Sequence, residues 1–174
     1  TPRLPEELGA SASIEEIAAA VGLIPSEIGF ENHRPTRYSI GLGFTFVPVR
    51  DLEAIARARG VVSKWSRAFS AQEAAFLYCR ETRHMTSQFH ARMFAPELGV
   101  PEDPATGSAA AALAAVINRF DTLASGDYRY VVEQGFEMGR PSLIHLSIEV
   151  AAGKLATVRI GGSSVPVSSG TLEV

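Results

Sequence analysis

Cysteine, basic residues and long apolar runs are all scarce in this 174-residue sequence. The one cysteine, Cys79, excludes an internal disulfide and disfavours a racemase that works with two paired cysteines. Lysine and arginine number 16 against 19 acidic residues and form no basic patch, which argues against a nucleic-acid partner. No apolar run has the length of a membrane span, and no signal sequence is visible. These features predict a cytoplasmic protein whose partners include neither a membrane nor a nucleic acid.

The length and composition are those of one globular domain. Hydrophobic residues make up 46% and charged residues 20% of the chain, and 174 residues can bury a stable core. Thr1–Ala10 contains two prolines and a glycine and is predicted to be a linker. We therefore expect a single domain over residues 1–174, entered through this linker.

The most informative segment is Pro101–Asn118, with the sequence PEDPATGSAAAALAAVIN. Pro101 and Pro104 fix two φ angles, so that the first part is a rigid polar turn. Ala109–Ile117 then has no charged or polar side chain, and a helix that is apolar on every face is buried. The segment predicts a central helix enclosed by sheet, with its N-terminus open to a polar pocket.

Two interpretations of that N-terminus stay open on residue type alone. The first N–H groups of a helix have no partner within the helix and carry partial positive charge, so they can bind an anion. Gly107 allows close approach, Thr106 and Ser108 add hydroxyls, and Asp103 adds a carboxylate. The alternative is simple capping, because Asp, Ser and Thr are ordinary residues before a helix.

The rest of the chain favours an α+β fold with a mixed, largely antiparallel sheet. Alternating or apolar runs predict strands, and capped amphipathic runs predict helices. The predicted helices are Ser13–Val21 and the segment from Asp51 to Gly60; the predicted strands are two within Pro35–Arg50, then Ala74–Arg80, Ser87–Phe94, Tyr128–Gln134, Ser142–Val150, Lys154–Ile160 and Ser163–Val167. His90 and Arg92 share one face of their strand, which could point toward the pocket, although a solvated face is the commoner explanation for such residues. No pair of histidines has helical or hairpin ligand spacing together with a carboxylate, so no metal site is predicted.

Three blocks of this sequence resemble one protein family. EDPATGSA at Glu102–Ala109 closely resembles the signature of the PhzF-like (phenazine-biosynthesis) isomerase/epimerase family. The flanks also match, in Arg92–Ala109, Glu133–Ser142 and Gly161–Val174, and they span most of the second half of the chain. The resemblance implies a diaminopimelate-epimerase-like fold, in which each half is a β-barrel or roll around a central helix and the active site lies between the halves.

The resemblance also implies roles for three residues. Asp103 and Ser108 match the family's polar site residues, and the backbone of Gly107 and Ser108 matches the place where a substrate carboxylate is held. The candidate substrate-binding residues are Thr106, Gly107 and Ser108, and the candidate catalytic residues are Asp103 and Ser108. The family chemistry is cofactor-independent, so no cofactor is expected.

The chain departs from the family in its length. Members are about twice as long, and their first half supplies a catalytic glutamate and a Gly-His motif. No Gly-His pair occurs in this sequence. We therefore expect the chain to be the C-terminal half of such a protein, inactive alone, with the N-terminal half and a second copy as partners.

The sequence thus favours a cofactor-independent isomerase or epimerase that moves a proton on a small carboxylic acid. The alternative is a non-catalytic domain that binds a small anion or a partner and retains only the fold. The presence or absence of a half with the glutamate and the Gly-His motif separates the two hypotheses.

Overall fold

The computed structural model describes residues 3–171. Thr1 and Pro2 of the predicted linker, and the last three residues of the block Gly161–Val174, lie outside this range. Within it the chain forms four α-helices and a nine-stranded sheet. The helices are α1 (Ile14–Val21), α2 (Leu52–Arg57), α3 (Val62–Ala68) and α4 (Gly107–Asp121). The strands are β1 (Glu6–Glu7), β2 (Thr36–Ser39), β3 (Gly43–Pro48), β4 (Glu73–Cys79), β5 (Phe89–Ala95), β6 (Val100–Asp103), β7 (Gly126–Gln134), β8 (Ser142–Ala151) and β9 (Lys154–Gly161).

The sheet is mixed, as predicted, with mostly antiparallel pairs. Its order is β1-β2-β3-β4-β5-β7-β8-β9, and β6 pairs with β5 beside this path. Two pairs of adjacent strands are parallel, β3 with β4 and β5 with β7. Parallel neighbours need long crossovers. Helices α2 and α3 lie in the first crossover, whereas β6 and α4 lie in the second.

Each crossover covers a different face of the sheet. Helices α1, α2 and α3 pack with Val47, Leu77 and Phe94 in one hydrophobic cluster. Helix α4 packs with Phe46, Phe89 and other side chains of the opposite face in a second cluster. The alternation along β5 decides this, because Phe89, Ala91 and Met93 belong to the second cluster and Phe94 to the first.

Helix α4 has the burial that its composition predicts. Every residue from Ala109 to Ile117 is at most 9% exposed, and Leu113 is completely buried. The helix contacts β8 and β9 near one end of the sheet and β2 and β3 near the other. A helix in contact with both ends of a sheet requires the sheet to curl, and the small alanine side chains allow the strands to come close.

Several predicted boundaries were wrong. Part of the predicted linker is strand β1, which pairs with β2, because backbone pairing overrides a proline-rich composition there. Helix α2 ends at Arg57, before Gly60. The predicted strand Ser163–Val167 has no ladder partner among residues 3–171 and is exposed. Conversely, Val100–Asp103 was predicted as a turn but forms β6, with Asp103 opposite Met93 of β5.

His90 and Arg92 do not lie on a solvated strand face, so that prediction was also wrong. His90 is completely buried and Arg92 is 6% exposed. Each finds a carboxylate elsewhere in the fold, Glu133 for His90 and Glu102 for Arg92. Alternation along one strand gives the face of a side chain but not the partner that covers it.

Candidate active site

The loop between β6 and α4 brings the predicted site residues together. Asp103 ends β6, and α4 begins four residues later at Gly107. Within the loop the Thr106 hydroxyl donates a hydrogen bond to Asp103 Oδ2 at 2.6 Å. Asp103 is half-buried and Thr106 is buried, so this contact lies at the edge of the protein interior.

Gln134, at the end of β7, fastens the loop to the sheet. Its side-chain Nε2 donates to Asp103 O at 2.7 Å and to Thr106 Oγ1 at 3.0 Å. Its Oε1 accepts from the Thr106 N–H at 3.1 Å. Gln134 is completely buried, so these bonds satisfy a polar group that would otherwise be costly to bury.

Gly135 follows Gln134 and lies directly against the same loop. A Cβ atom at this position would lie 2.8 Å from Pro104 O and 2.3 Å from Arg140 O, and φ is +80°. Only glycine fits so close an approach at this backbone angle. The connection between β7 and β8 therefore adjoins the site, although Arg140 itself is exposed.

The first turn of α4 reaches the surface beside this loop. Ser108 is exposed and Gly107 is half-buried. Among residues 3–171 no group accepts a hydrogen bond from the N–H of Gly107 or Ser108. A Cβ atom at position 107 would lie 2.9 Å from Ile160 Cδ1, so that glycine allows the Ile160 side chain of β9 to pack against the start of the helix. Two partly positive N–H groups are thus available to an anion.

Capping by side chains does not account for these residues. Thr106 occupies the position before α4, but its side chain makes no capping hydrogen bond to the helix. The Asp103 carboxylate is instead bound by the Thr106 hydroxyl through Oδ2, and no residue in 3–171 donates a hydrogen bond to its Oδ1. The loop therefore presents one carboxylate oxygen and two N–H groups without hydrogen-bond partners in the described chain.

A buried ionic cluster, missed by the sequence, adjoins this site on β5 and β7. His90 Nδ1 lies 2.6 Å from Glu133 Oε1, and His90 Nε2 lies 3.2 Å from Glu137 Oε2. Glu133 precedes Gln134 and pairs with His90 across the two strands. Burial works against the ionised form of Glu133, but hydrogen bonds from two backbone N–H groups and from His90 outweigh it and lower its pKa.

The same balance holds for Glu137. Burial works against its ionised form, but the hydrogen bond with His90, together with a backbone hydrogen bond and the nearby Arg92, outweighs burial and lowers the pKa of Glu137. Arg83 also donates to this carboxylate, through Nη2 at 3.0 Å. The pKa values of both glutamates are lower in the folded than in the unfolded protein. Their ionised forms therefore stabilise the fold at neutral pH, and this contribution is lost as the pH falls through the folded-state pKa values.

We expect Glu133→Gln to lower the free energy of unfolding at neutral pH by about 3 kcal/mol, the upper end of the scale for buried hydrogen bonds to a charged group. It should also flatten the decline of stability below about pH 4.5, where an unfolded glutamate takes up its proton. Urea unfolding between about pH 3 and about pH 8 measures both effects. Glu97→Gln is the matched control, because Glu97 is exposed and should change neither. If the free energy of unfolding of Glu133→Gln and of the wild-type protein declined equally below about pH 4.5, this role of the cluster would be contradicted.

A third polar cluster lies at the other end of α4. His33 Nδ1 is 2.9 Å from Tyr78 Oη, and His33 Nε2 is 2.9 Å from Asp121 Oδ1. Glu31 is close enough to complete a set of three possible metal ligands. However, the Arg80 guanidinium lies 2.5 Å from Asp121 Oδ1 and 3.4 Å from Glu31 Oε1, so it already provides the positive charge. The cluster is a network of hydrogen bonds and ion pairs about 20 Å from the first turn of α4, by the rise per helical residue.

The sequence matches one family model over residues 3–170, that of the phenazine biosynthesis-like proteins. The chain belongs to this family. Several relatives of the chain are named as isomerases. The motif loop and the Gln134-Gly135 connection that adjoin in the structure lie in two of the blocks from which the resemblance was identified.

Two curated relatives illustrate the similarity. The chain is 47% identical over 175 residues to an uncharacterised isomerase of Mesorhizobium japonicum, covering 98% of this chain and 58% of that protein. It is 40% identical over 85 residues to the trans-2,3-dihydro-3-hydroxyanthranilate isomerase of Pseudomonas chlororaphis, covering 49% of this chain and 30% of the enzyme. The chain thus spans little more than half the length of the first relative and less of the second.

Solved structures show the same fold. A phenazine biosynthesis protein of Bacillus anthracis superposes with a TM-score of 0.83 at 22% identity, over 92% of this chain and 55% of that one. A predicted epimerase of Pseudomonas aeruginosa superposes with a TM-score of 0.61 at 30% identity, over 91% of this chain and 52% of that one. The α+β fold of this chain, with its curled sheet, is therefore a fold found in this family. Within residues 3–171 no helix combines the length and apolar character needed to span a membrane.

Proposed function

We propose that this chain is the C-terminal half of an isomerase or epimerase that transfers a proton on a small carboxylic acid without a cofactor. A carbon-bound proton next to a carboxylate is weakly acidic. Such an enzyme must therefore hold the carboxylate, place an acid or base, and stabilise the anionic species that forms. The described loop offers groups for the first two tasks.

The observation that carries this proposal is that a carboxylate oxygen and two N–H groups without hydrogen-bond partners in residues 3–171 lie together at the start of α4. The N–H groups of Gly107 and Ser108 suit a substrate carboxylate, and the exposed Ser108 hydroxyl can donate to it as well. Asp103 Oδ1 is the carboxylate oxygen without a hydrogen-bond partner in residues 3–171, and it suits proton transfer. The Thr106 hydroxyl donates to the other carboxylate oxygen of Asp103, and Thr106 directly precedes Gly107.

The remaining parts of the proposal concern the rest of the protein. We propose that α4 is the central helix of a barrel-like half and that a matching half supplies the catalytic glutamate. The site is then shared between the halves, so that residues 1–174 alone are inactive. We further propose a cytoplasmic protein that forms a homodimer through surfaces of the complete fold.

Solvent deuterium exchange by the full-length protein tests this function. A panel of small carboxylic acids in D2O, beginning with trans-2,3-dihydro-3-hydroxyanthranilate because relatives are named for it, should include one that gains deuterium next to its carboxylate. Residues 1–174 alone, with a fold verified by circular dichroism, should give no exchange. Carboxylate binding by the full-length protein without exchange of any panel member would favour the non-catalytic anion-binding domain instead.

A further inference from the structure

The hydrogen bonds of Gln134 fix the orientation of its amide. One end of the amide faces Asp103 O, which is a carbonyl and can only accept a hydrogen bond. The other end faces the Thr106 N–H, which can only donate. The NH2 group must therefore point to Asp103 O and the oxygen to the Thr106 N–H, and the reverse assignment would break both bonds.

The same argument fixes the direction of the Thr106 hydroxyl. The second hydrogen on Gln134 Nε2 points to Thr106 Oγ1 at 3.0 Å, so that this oxygen acts as an acceptor. The hydroxyl hydrogen then points to the remaining neighbour, Asp103 Oδ2 at 2.6 Å. Because Oδ2 accepts this hydrogen, a proton taken up by Asp103 has to reside on Oδ1.

We infer that Gln134 and Thr106 are positioning residues that reserve Oδ1 of Asp103 for proton exchange with the substrate. This inference rests on the proposed function and extends it to the atom that handles the proton. Gln134 and Thr106 act through Asp103 and need not touch the substrate. The direction of the chain of hydrogen bonds, from Gln134 through Thr106 to Asp103, orients the carboxylate and keeps one oxygen occupied.

The effect of this hydrogen-bond chain on the Asp103 carboxylate can be separated from its role in holding the loop backbone. Gln134 Nε2 also donates to Asp103 O, and its Oε1 accepts from the Thr106 N–H, so two bonds hold the backbone without the hydroxyl. Thr106→Val has nearly the same shape and removes only the two bonds of Oγ1. Thr106→Ser keeps a hydroxyl at the same place.

In the full-length protein, Thr106→Val should lower kcat for deuterium exchange about 10- to 100-fold, the scale for a misplaced acid or base. KM should stay within about twofold, because the N–H groups of Gly107 and Ser108 are unchanged. Malonate, used as a carboxylate probe, should shift the amide NMR signals of these two residues equally in variant and wild type. Thr106→Ser should retain most of kcat.

Gln134→Glu gives a second, pH-dependent readout. When the new carboxylate is ionised, it accepts the Thr106 hydroxyl hydrogen and turns it away from Asp103, whereas its protonated form can again donate. Exchange by this variant should therefore recover about 10-fold, relative to wild type, as the pH falls from about 8 to about 5. Gln88→Glu is the matched control, because exposed Gln88 also binds the β7 backbone, through the Val131 N–H at 2.7 Å.

Each remaining outcome separates this inference from the proposed function. If the wild-type full-length protein exchanges no member of the panel, the proposed function is wrong. If Asp103→Asn exchanges at the wild-type rate, the function stands but Asp103 does not transfer the proton, and the inference about its Oδ1 is wrong. If Asp103→Asn is inactive but Thr106→Val keeps kcat, or if Gln134→Glu has the wild-type pH profile, the proposed function stands. Only the positioning of Asp103 by Gln134 and Thr106 is then wrong. Loss of fold in Thr106→Val but not in Thr106→Ser, or a parallel rise in KM, assigns the hydroxyl a structural role and overturns the inference.

Discussion

Leu113→Asp should prevent the protein from folding. Leu113 lies at the middle of α4, and its side chain is completely buried between residues that are themselves buried. Removing the leucine side chain alone costs about 2–5 kcal/mol, and burying an unpaired carboxylate adds several kcal/mol. The sum reaches the whole stability of an ordinary domain, which is about 5–15 kcal/mol. Soluble yield and urea unfolding of the variant measure the effect.

Leu98→Asp is the matched control for this change. Leu98 is 40% exposed, so the same substitution leaves the new carboxylate in water and should cost little. Leu113→Ala keeps the site apolar and should give a folded protein that is destabilised by about 2–5 kcal/mol. A soluble, cooperatively folded Leu113→Asp protein would contradict the burial of α4 on every side.

The main helices and strands could be predicted because their signals are local. The capping box at Ser13 and Glu16 and the left-handed Gly22 delimit α1 where the sequence places it. The uninterrupted apolar run of α4 predicts burial in the same way. Strand β6 was missed because its proline-rich residues form a strand only through pairing with β5, which a local pattern does not contain.

The candidate site was predicted only in part, for a similar reason. Asp103, Thr106, Gly107 and Ser108 are neighbours in the sequence, so their proximity follows from the chain itself. Gln134 lies 28 residues beyond Thr106 and reaches it only because β7 pairs with β5. The block Glu133–Ser142 matches the family, but its residue types did not indicate that Gln134 binds the loop before α4.

The partners of His90 and Arg92 show what periodicity leaves out. Arg92 forms two hydrogen bonds of 2.8 Å with Glu102, and its Nη1 donates to three carbonyls near the end of α2. A buried cation of this kind is stable only when its donors find partners. Such sets of partners come from several elements and become visible only in three dimensions.

Asp103→Asn should keep the fold and lower deuterium exchange by the full-length protein about 100-fold or more. An asparagine oxygen can accept the Thr106 hydroxyl in place of Oδ2, so the loop geometry and the stability should be preserved. The amide NH2 then occupies the place of Oδ1, and it neither takes up nor releases a proton at neutral pH. Loss of a positioned acid or base typically costs about 100- to 10,000-fold in rate.

The two uses of Asp103 give opposite results in this experiment. A residue that only secures the helix start would tolerate asparagine, because Asn and Asp are about equally good at such positions. Asp127→Asn, at an exposed position on β7, controls for the loss of one negative charge and should leave exchange unchanged. Malonate binding to Asp103→Asn at the wild-type level would show that the carboxylate site survives and that the lost step is proton transfer. Wild-type exchange in a folded Asp103→Asn protein would leave Asp103 with a structural role only, because an asparagine at this position cannot carry the proton.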